Sequence, residues 1–136
     1  MKEILWNPCL EIGVDTIDEE HKRLVKIANA IVKIARDGGE KSQLVDAFSF
    51  LHEYALTHFD NEEAYMKKVR YKGYDDHHAE HLKLKKQVKD FQRDLYEAGG
   101  IPAQEIITFI KSWLLDHIIK TDMKLRGEAS AGKPPA

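Results

Sequence analysis

The chain has 136 residues, 32% of them charged, and a net charge of −2 at neutral pH. This length suits one domain built around a single core. Acids and bases are interleaved, which excludes the basic stripe of a nucleic-acid-binding protein and a polybasic membrane patch. Cys9 is the only cysteine, so an internal disulfide is excluded, and the first residues lack the long apolar run of a signal peptide or membrane span. We therefore expect a cytoplasmic protein that neither binds nucleic acid nor inserts into a membrane.

Capping residues and helix breakers divide the chain into four helices. Thr16–Glu19 has a T-x-x-E pattern that predicts the start of the first helix, and Ser42 can cap the second. Pro102 stands where a fourth helix tolerates proline, in its first turn. Glycines mark the joints: Gly38 and Gly39, Gly73, and Gly99 and Gly100. Because each joint is short, the sequence predicts an all-α, antiparallel, up-down-up-down four-helix bundle.

The predicted bundle domain covers residues 1–127 and begins with an arm over residues 1–15. The arm is expected to lie on the bundle through its apolar side chains, namely Ile4, Leu5, Trp6, Ile12 and Val14. Residues 128–136, which end in GKPPA, form a predicted disordered tail.

Histidines interrupt the apolar seams of all four helices. Residues spaced alternately by three and four line one face of a helix, and the second helix shows this spacing in Leu44, Phe48, Leu51, Ala55, His58, Glu62 and Tyr65. The same spacing puts four further histidines on seams: His21, His77, His81 and His117. Five of the seven histidines are therefore predicted to face the interior. Glu62 joins them, although an unpaired buried carboxylate is costly.

An acid follows the last of these histidines at an unusual distance. Asp122 lies five residues after His117, and five residues of regular α-helix separate two side chains by about 140°. If both side chains serve one centre, the helix must be irregular between Ile118 and Asp122. We expect either a helix end or a wider turn of the kind found at functional sites.

These seven side chains have the chemistry of a site for two metal ions. One octahedral ion takes six ligands and structural zinc takes four, whereas two ions bridged by carboxylates use all seven. Imidazole ligands favour transition metals over calcium or magnesium, although ligand type alone does not select iron. Five histidines cannot divide equally between two ions. The sequence therefore predicts one saturated ion and one with an open position for a small molecule.

Simpler interpretations stay open for individual residues. A lone buried histidine such as His21 is more often a hydrogen-bonded core residue, and only its company favours a metal. His52 and His78 lie beside the seams and are interpreted as solvated histidines or as partners of a ligand. The apolar residues near the predicted ligands have a simple interpretation as core: Leu24, Phe59, Trp113, Leu114 and Ile118.

Four segments carry a resemblance to a known family: DEEHKRL around His21, HFDNEE with His58 and Glu62, HHAEH with His77 and His81, and WLLDHIIKTD with His117 and Asp122. In order and spacing they resemble the hemerythrin family, most closely its single-domain bacterial form, over nearly the whole chain. The resemblance implies a four-helix bundle with two irons, bridged by the glutamate, the aspartate and an oxo or hydroxo group. It also implies a six-coordinate iron bound by His77, His81 and His117, and a five-coordinate iron bound by His21 and His58.

The resemblance further implies reversible dioxygen binding, for oxygen storage, transport or delivery to an oxygen-consuming recipient protein, rather than enzymatic catalysis. The family's apolar oxygen pocket corresponds here to Leu24, Phe59, Trp113, Leu114 and Ile118. None of these side chains is an acid or a base, whereas oxidative turnover usually needs a proton donor beside the bound oxygen.

Two alternatives remain, a di-iron oxidase or ferroxidase and an oxygen- or redox-sensing subunit. Ferritin-like di-iron enzymes use E-x-x-H pairs, which this sequence lacks.

Overall fold

The computed structural model describes residues 10–97 and 101–126, with the backbone alone for residues 118–120. Four α-helices account for most of them: α1 (Asp15–Arg36), α2 (Lys41–Lys68), α3 (Tyr74–Glu97) and α4 (Ala103–Leu115). The chain continues as a π-helical turn, Asp116–Thr121, and a 3-10 turn, Asp122–Lys124. Several predictions fall outside the described residues: the arm contacts of Ile4, Leu5 and Trp6, the joint at Gly99 and Gly100, and the tail at 128–136.

The helices form the predicted antiparallel four-helix bundle. α1 contacts α2 and α4, and α2 contacts α3. Trp113 joins α4 to α3, because its indole N–H donates a hydrogen bond of 3.1 Å to the carbonyl oxygen of Leu84. The connection between α1 and α2 contains Gly38 at a φ of +74°, which confirms the predicted end of α1. No helix among the described residues has an apolar stretch long enough to cross a bilayer.

The start of α1 differs from the sequence prediction. The Thr16–Glu19 capping box does not form, because Val14 already occupies the N-cap position. The buried carboxylate of Asp18 instead bonds the segment that precedes the helix. It accepts hydrogen bonds from the backbone N–H groups of Ile12, at 2.8 Å, and Gly13, at 3.1 Å. These two bonds tie the end of the arm to the first turn of the helix.

The starts of α2 and α4 are also displaced from their predicted residues. Ser42 does not cap α2; Glu40 is its N-cap residue. Glu40 forms a reciprocal capping box with Gln43, whose side-chain oxygen accepts a hydrogen bond of 2.8 Å from the Glu40 backbone N–H. Pro102 occupies the N-cap position of α4 rather than its first turn. Each displacement is one or two residues, the usual uncertainty of helix ends.

Two apolar clusters lie along the bundle, on either side of the predicted ligands. In α1, for example, Ile17 belongs to the smaller cluster and Leu24 to the larger, with His21 between them. The smaller cluster consists of Ile12, Ile17, Met66 and Leu125. Ile12 brings the end of the arm into this cluster and is fully buried.

Three phenylalanines strengthen the larger cluster at some distance from the histidines. Phe91 of α3 stacks on Phe109 of α4 with ring centres 4.2 Å apart, and Phe48 of α2 lies 5.3 Å from Phe91. Phe48 precedes His58 by ten residues, or about 15 Å of helix. The bundle therefore has an aromatic region and a polar region at different levels.

Candidate metal centre

Seven buried polar side chains meet between the two apolar clusters. Each of them is at most 3% exposed. They come from α1, α2 and α3 and from the two turns that follow α4. They are the seven residues predicted as ligands: His21, His58, Glu62, His77, His81, His117 and Asp122.

The seven side chains form two overlapping groups of unequal size. Within each group, one nitrogen or oxygen per residue lies within 4.8 Å of the corresponding atoms of the others. The larger group has three histidines, the smaller has two, and both contain Glu62 and Asp122. The members of the larger group are Glu62, His77, His81, His117 and Asp122, and those of the smaller are His21, His58, Glu62 and Asp122.

The shared carboxylates divide their oxygens between the two groups. Oε1 of Glu62 lies 2.6 Å from His77 Nε2 and 2.9 Å from His81 Nε2, while its Oε2 lies 3.1 Å from His58 Nε2. Asp122 behaves in the same way. Its Oδ1 lies 2.9 Å from His77 Nε2, and its Oδ2 lies 2.7 Å from Nε2 of His21. Each carboxylate thus faces two centres, one through each oxygen.

Many of these atoms are close together but are not hydrogen-bonded. Among the described residues, no partner satisfies the following buried atoms: Nε2 of His21, His58 and His117, Oε2 of Glu62, and both carboxylate oxygens of Asp122. A buried polar atom without a hydrogen bond is costly. A cation between the rings and the carboxylates would satisfy these atoms, and imidazole with carboxylate is a ligand set that suits transition metals.

The acids and histidines of the cluster shift one another's pKa values. Burial lowers the pKa of His21, but the close contact and negative charge of Asp122 and Glu62 outweigh burial and raise it to about 9. Asp122 and Glu62 likewise outweigh burial at two other rings, and they raise the pKa of His77 to about 9 and that of His117 to about 10. Burial raises the pKa of both carboxyls, yet the histidines hold these values below their ordinary range. Protons and cations therefore compete for the same ring nitrogens.

The predicted irregularity after α4 is confirmed. His117 is the second residue of the π-helical turn Asp116–Thr121, and Asp122 follows its last residue. A π-helix closes its hydrogen bonds over five residues instead of four. The wider turn therefore brings the side chains of His117 and Asp122 together, with Nε2 and Oδ1 2.9 Å apart.

The family model of the hemerythrin HHE cation-binding domain matches residues 12–129. The chain belongs to the hemerythrin family. It is 30% identical to the bacteriohemerythrin of Clostridium acetobutylicum, an alignment that covers 87% of this chain and 95% of that protein. It is 33% identical to myohemerythrin-1 of Phascolopsis gouldii, over 91% of this chain and 92% of the other.

Solved hemerythrin structures have the same fold as this hemerythrin-family chain. The crystal structure of a wild-type hemerythrin matches with a TM-score of 0.82 and 28% sequence identity, over 93% of this chain and 98% of that one. A mutant hemerythrin matches with a TM-score of 0.83, over 96% and 99% of the two chains.

Sequence reasoning missed two carboxylates of this hemerythrin-family chain. Each contacts the Nδ1 atom of a histidine in the cluster. His58 Nδ1 lies 2.9 Å from Glu20 Oε1, and His81 Nδ1 lies 2.7 Å from Glu63 Oε2. Metal-binding histidines commonly donate their second ring N–H to a carboxylate. Both residues adjoin a predicted ligand in sequence, His21 and Glu62, but only the packing of one helix on another shows which ring each carboxylate meets.

The two histidines placed beside the seams lie outside the cluster. His78 is 41% exposed on its side chain, and its Nδ1 lies 2.7 Å from Glu63 Oε1. It thus contacts the carboxylate that holds His81, as a partner of a predicted ligand would. His52 is partly exposed on α2, where burial and the nearby Lys89 lower its pKa.

The residues assigned to the oxygen pocket are buried where the structure describes their side chains. Leu24, Phe59, Trp113 and Leu114 are each at most 5% exposed. Phe59 stacks on the His81 ring, with centres 4.1 Å apart and planes 12° apart. The side chain of Ile118 lies outside the described residues. This apolar wall fits both core and pocket, so its pocket role stays a prediction.

Proposed function

We propose that this protein binds dioxygen reversibly at a non-haem di-iron centre, for oxygen storage, transport or delivery. The observation that carries the proposal is the unequal division of the cluster. Two groups share Glu62 and Asp122, but one adds three histidines and the other only two. The group with fewer ligands leaves a coordination position for a small molecule.

The residues present fit two iron ions. His77, His81 and His117 would hold one, His21 and His58 the other, and Glu62 and Asp122 belong to both groups. When bound in the ferrous state, the iron pair supplies the vacancy and the two electrons that dioxygen takes up. The chain keeps both positions fixed, because Glu20 and Glu63 hold a ring of each group by its far nitrogen.

The neighbouring side chains suit a carrier better than a catalyst. Leu24, Phe59 and Leu114 are buried and apolar, so they have no proton to give or take. The only polar atom of Trp113, its indole nitrogen, already donates to the Leu84 carbonyl. An environment without a proton donor favours the release of oxygen unchanged over its reduction.

One experiment tests the proposal directly. The purified protein is loaded with ferrous iron without oxygen, its iron content is measured, and it is cycled between air and argon while its visible spectrum is recorded. We expect about two irons per chain and an absorption band that appears in air and disappears under argon over repeated cycles. Continuous oxygen consumption with release of hydrogen peroxide would instead identify an oxidase, and a spectrum indifferent to oxygen would reject the proposal.

A further inference from the structure

Two surface cavities reach the larger ligand group from outside the bundle. One, of about 230 Å³, is lined by His77 together with Asp76, Glu80 and Lys124. The other, of about 330 Å³, is lined by His117 together with Glu80, Asp116 and Lys83. Glu80 is common to both, so a single partly exposed carboxylate stands between the two approaches to the cluster.

The histidines at the inner ends of the cavities have unsatisfied nitrogens. His77 and His117 are each 3% exposed, and Nδ1 of each ring has no hydrogen-bond partner among the described residues. His58 and His81 differ, since a glutamate holds Nδ1 of each. Nε2 of His77 faces Glu62 and Asp122. The opposite edge of that ring, which carries Nδ1, is therefore the edge turned away from the carboxylates.

The walls of the cavities favour a cation over an uncharged gas. Each cavity has two acids and one lysine: Asp76, Glu80 and Lys124 in one, and Glu80, Asp116 and Lys83 in the other. Acidic walls raise the local concentration of cations. Dioxygen gains nothing from them, and both cavities lead to the group with five ligands rather than to the group with the open position.

We propose that Glu80, assisted by Asp76, receives a divalent cation from solvent and passes it to the cluster past His77 and His117, so that the two cavities are the route by which metal enters. This inference rests on the proposed function, because the ion's destination is the same cluster. Carboxylate oxygens replace part of the hydration shell of the incoming ion, and the imidazoles then complete its coordination. A fixed acid at the entrance acts on the rate of loading and leaves the final affinity to the seven buried ligands.

Loading kinetics test the route separately from the function. Metal-free protein is mixed with Co²⁺ without oxygen at low ionic strength, and the rate and final stoichiometry are followed by the visible absorption of the bound ion. The test variants are Glu80→Gln and the double variant Asp76→Asn with Glu80→Gln. The matched control is the double variant Asp94→Asn with Glu97→Gln. It also removes one aspartate and one glutamate charge from α3, but at the end of the helix far from the cavities.

We expect the double test variant to load about tenfold more slowly than the parent, with Glu80→Gln intermediate. The difference should shrink in high salt, which screens the acids. The control should load at the parental rate, and every protein should reach about two ions per chain. Parental rates in both test variants, or equal slowing in the control, would overturn the route. A parent that binds no cobalt would instead contradict the metal site itself.

Discussion

The histidines of the cluster differ from His78 in which ring nitrogen faces the carboxylates of Glu62 and Asp122. In the cluster, Nε2 points to the shared carboxylates, while Nδ1 is either held by a glutamate or has no partner among the described residues. His78 uses Nδ1 to contact Glu63 and has no contact with Glu62 or Asp122 among those described. The predicted ligands therefore differ from His78 in the direction of the ring as well as in burial.

Single substitutions should separate the two classes of histidine. Replacing His21 or His81 by asparagine should lower the iron content below two per chain, because the ring cannot be replaced by a shorter amide. His52→Asn and His78→Asn are the controls and should keep about two irons. Metal analysis of the purified variants decides the matter, and iron loss in a control would mean that the assignment by seam position is wrong.

Glu63→Gln should weaken the metal site without removing a ligand. Glu63 Oε1 lies 2.7 Å from His78 Nδ1 and Glu63 Oε2 lies 2.7 Å from His81 Nδ1, and in an amide one of these two acceptors becomes an N–H donor. Loss of such a carboxylate typically costs about 10–100-fold in metal affinity. Competition with a coloured chelator measures the affinity. The control is Glu53→Gln, an exposed glutamate on the same helix, which should retain parental affinity.

At the scale of the elements, the four helices could be predicted from the sequence and their exact starts could not. The periodicity of seam residues is repeated over several turns, so it identified six of the seven side chains that meet in the cluster, namely the five histidines and Glu62, whereas Asp122 lies off the seam. A cap depends on one or two side chains with close alternatives. Glu40 therefore occupies the N-cap position predicted for Ser42, and Val14 the one predicted for Thr16.

The spacing between His117 and Asp122 shows how an apparent defect in a pattern can be informative. Five residues do not fit an α-helical face, and the π-helical turn resolves the misfit. The contacts of Glu20 and Glu63 had no such signal, since a charged residue beside a ligand usually lies on a solvated surface. Only the packing of α1 on α2, and of α2 on α3, determines these pairs.

Shortening one leucine of α4 should test the predicted apolar pocket. Leu114 is 1% exposed, and Leu114→Ala should cost roughly 2–5 kcal/mol of unfolding free energy. If Leu114 excludes water from the cluster, the variant should also keep its iron but lose the oxygenated state faster than the parent.

Leu95→Ala provides the control for Leu114→Ala. Leu95 is equally buried, at 3% exposure, but lies near the far end of α3. It should lose stability and retain the parental autoxidation half-life, which is followed by the decay of the visible band. Equal autoxidation half-lives in the parent and in Leu114→Ala would mean that Leu114 is an ordinary core residue and does not protect the bound oxygen.

At the scale of the whole molecule, pH should act in opposite directions on the stability of the metal-free protein and on the stabilisation that metal adds. The pKa values of His21 and His77 are raised to about 9, and that of His117 to about 10. The stability that these raised values contribute is fully present below the ordinary pKa of 6.5 and is lost as pH rises toward 9–10. The lowered pKa values of Glu62 and Asp122 add stability that is lost as pH falls below about 4.5.

The metal-free protein should therefore be most stable between about pH 4.5 and 6.5. Metal binding needs neutral imidazoles, so its contribution should grow with pH. The measurement is Tm with and without metal at pH 6, 7.5 and 9, and the difference between the two should increase across this series. A difference that is constant or decreases with pH would contradict the coupling between protons and metal.

Because the aromatic and polar regions lie at different levels of the bundle, we expect its two ends to open independently. Phe48, Phe91 and Phe109 hold their end by contacts that need no ion. At the other level, the cluster without metal leaves buried atoms of Glu62 and Asp122 unsatisfied. Amide hydrogen exchange in the metal-free protein should consequently be fast around α2 residues 58–66 and slow around residues 44–51, and metal should slow it chiefly in the first region. The metal would then stabilise one end of the bundle against local unfolding, while the other end stays folded without it.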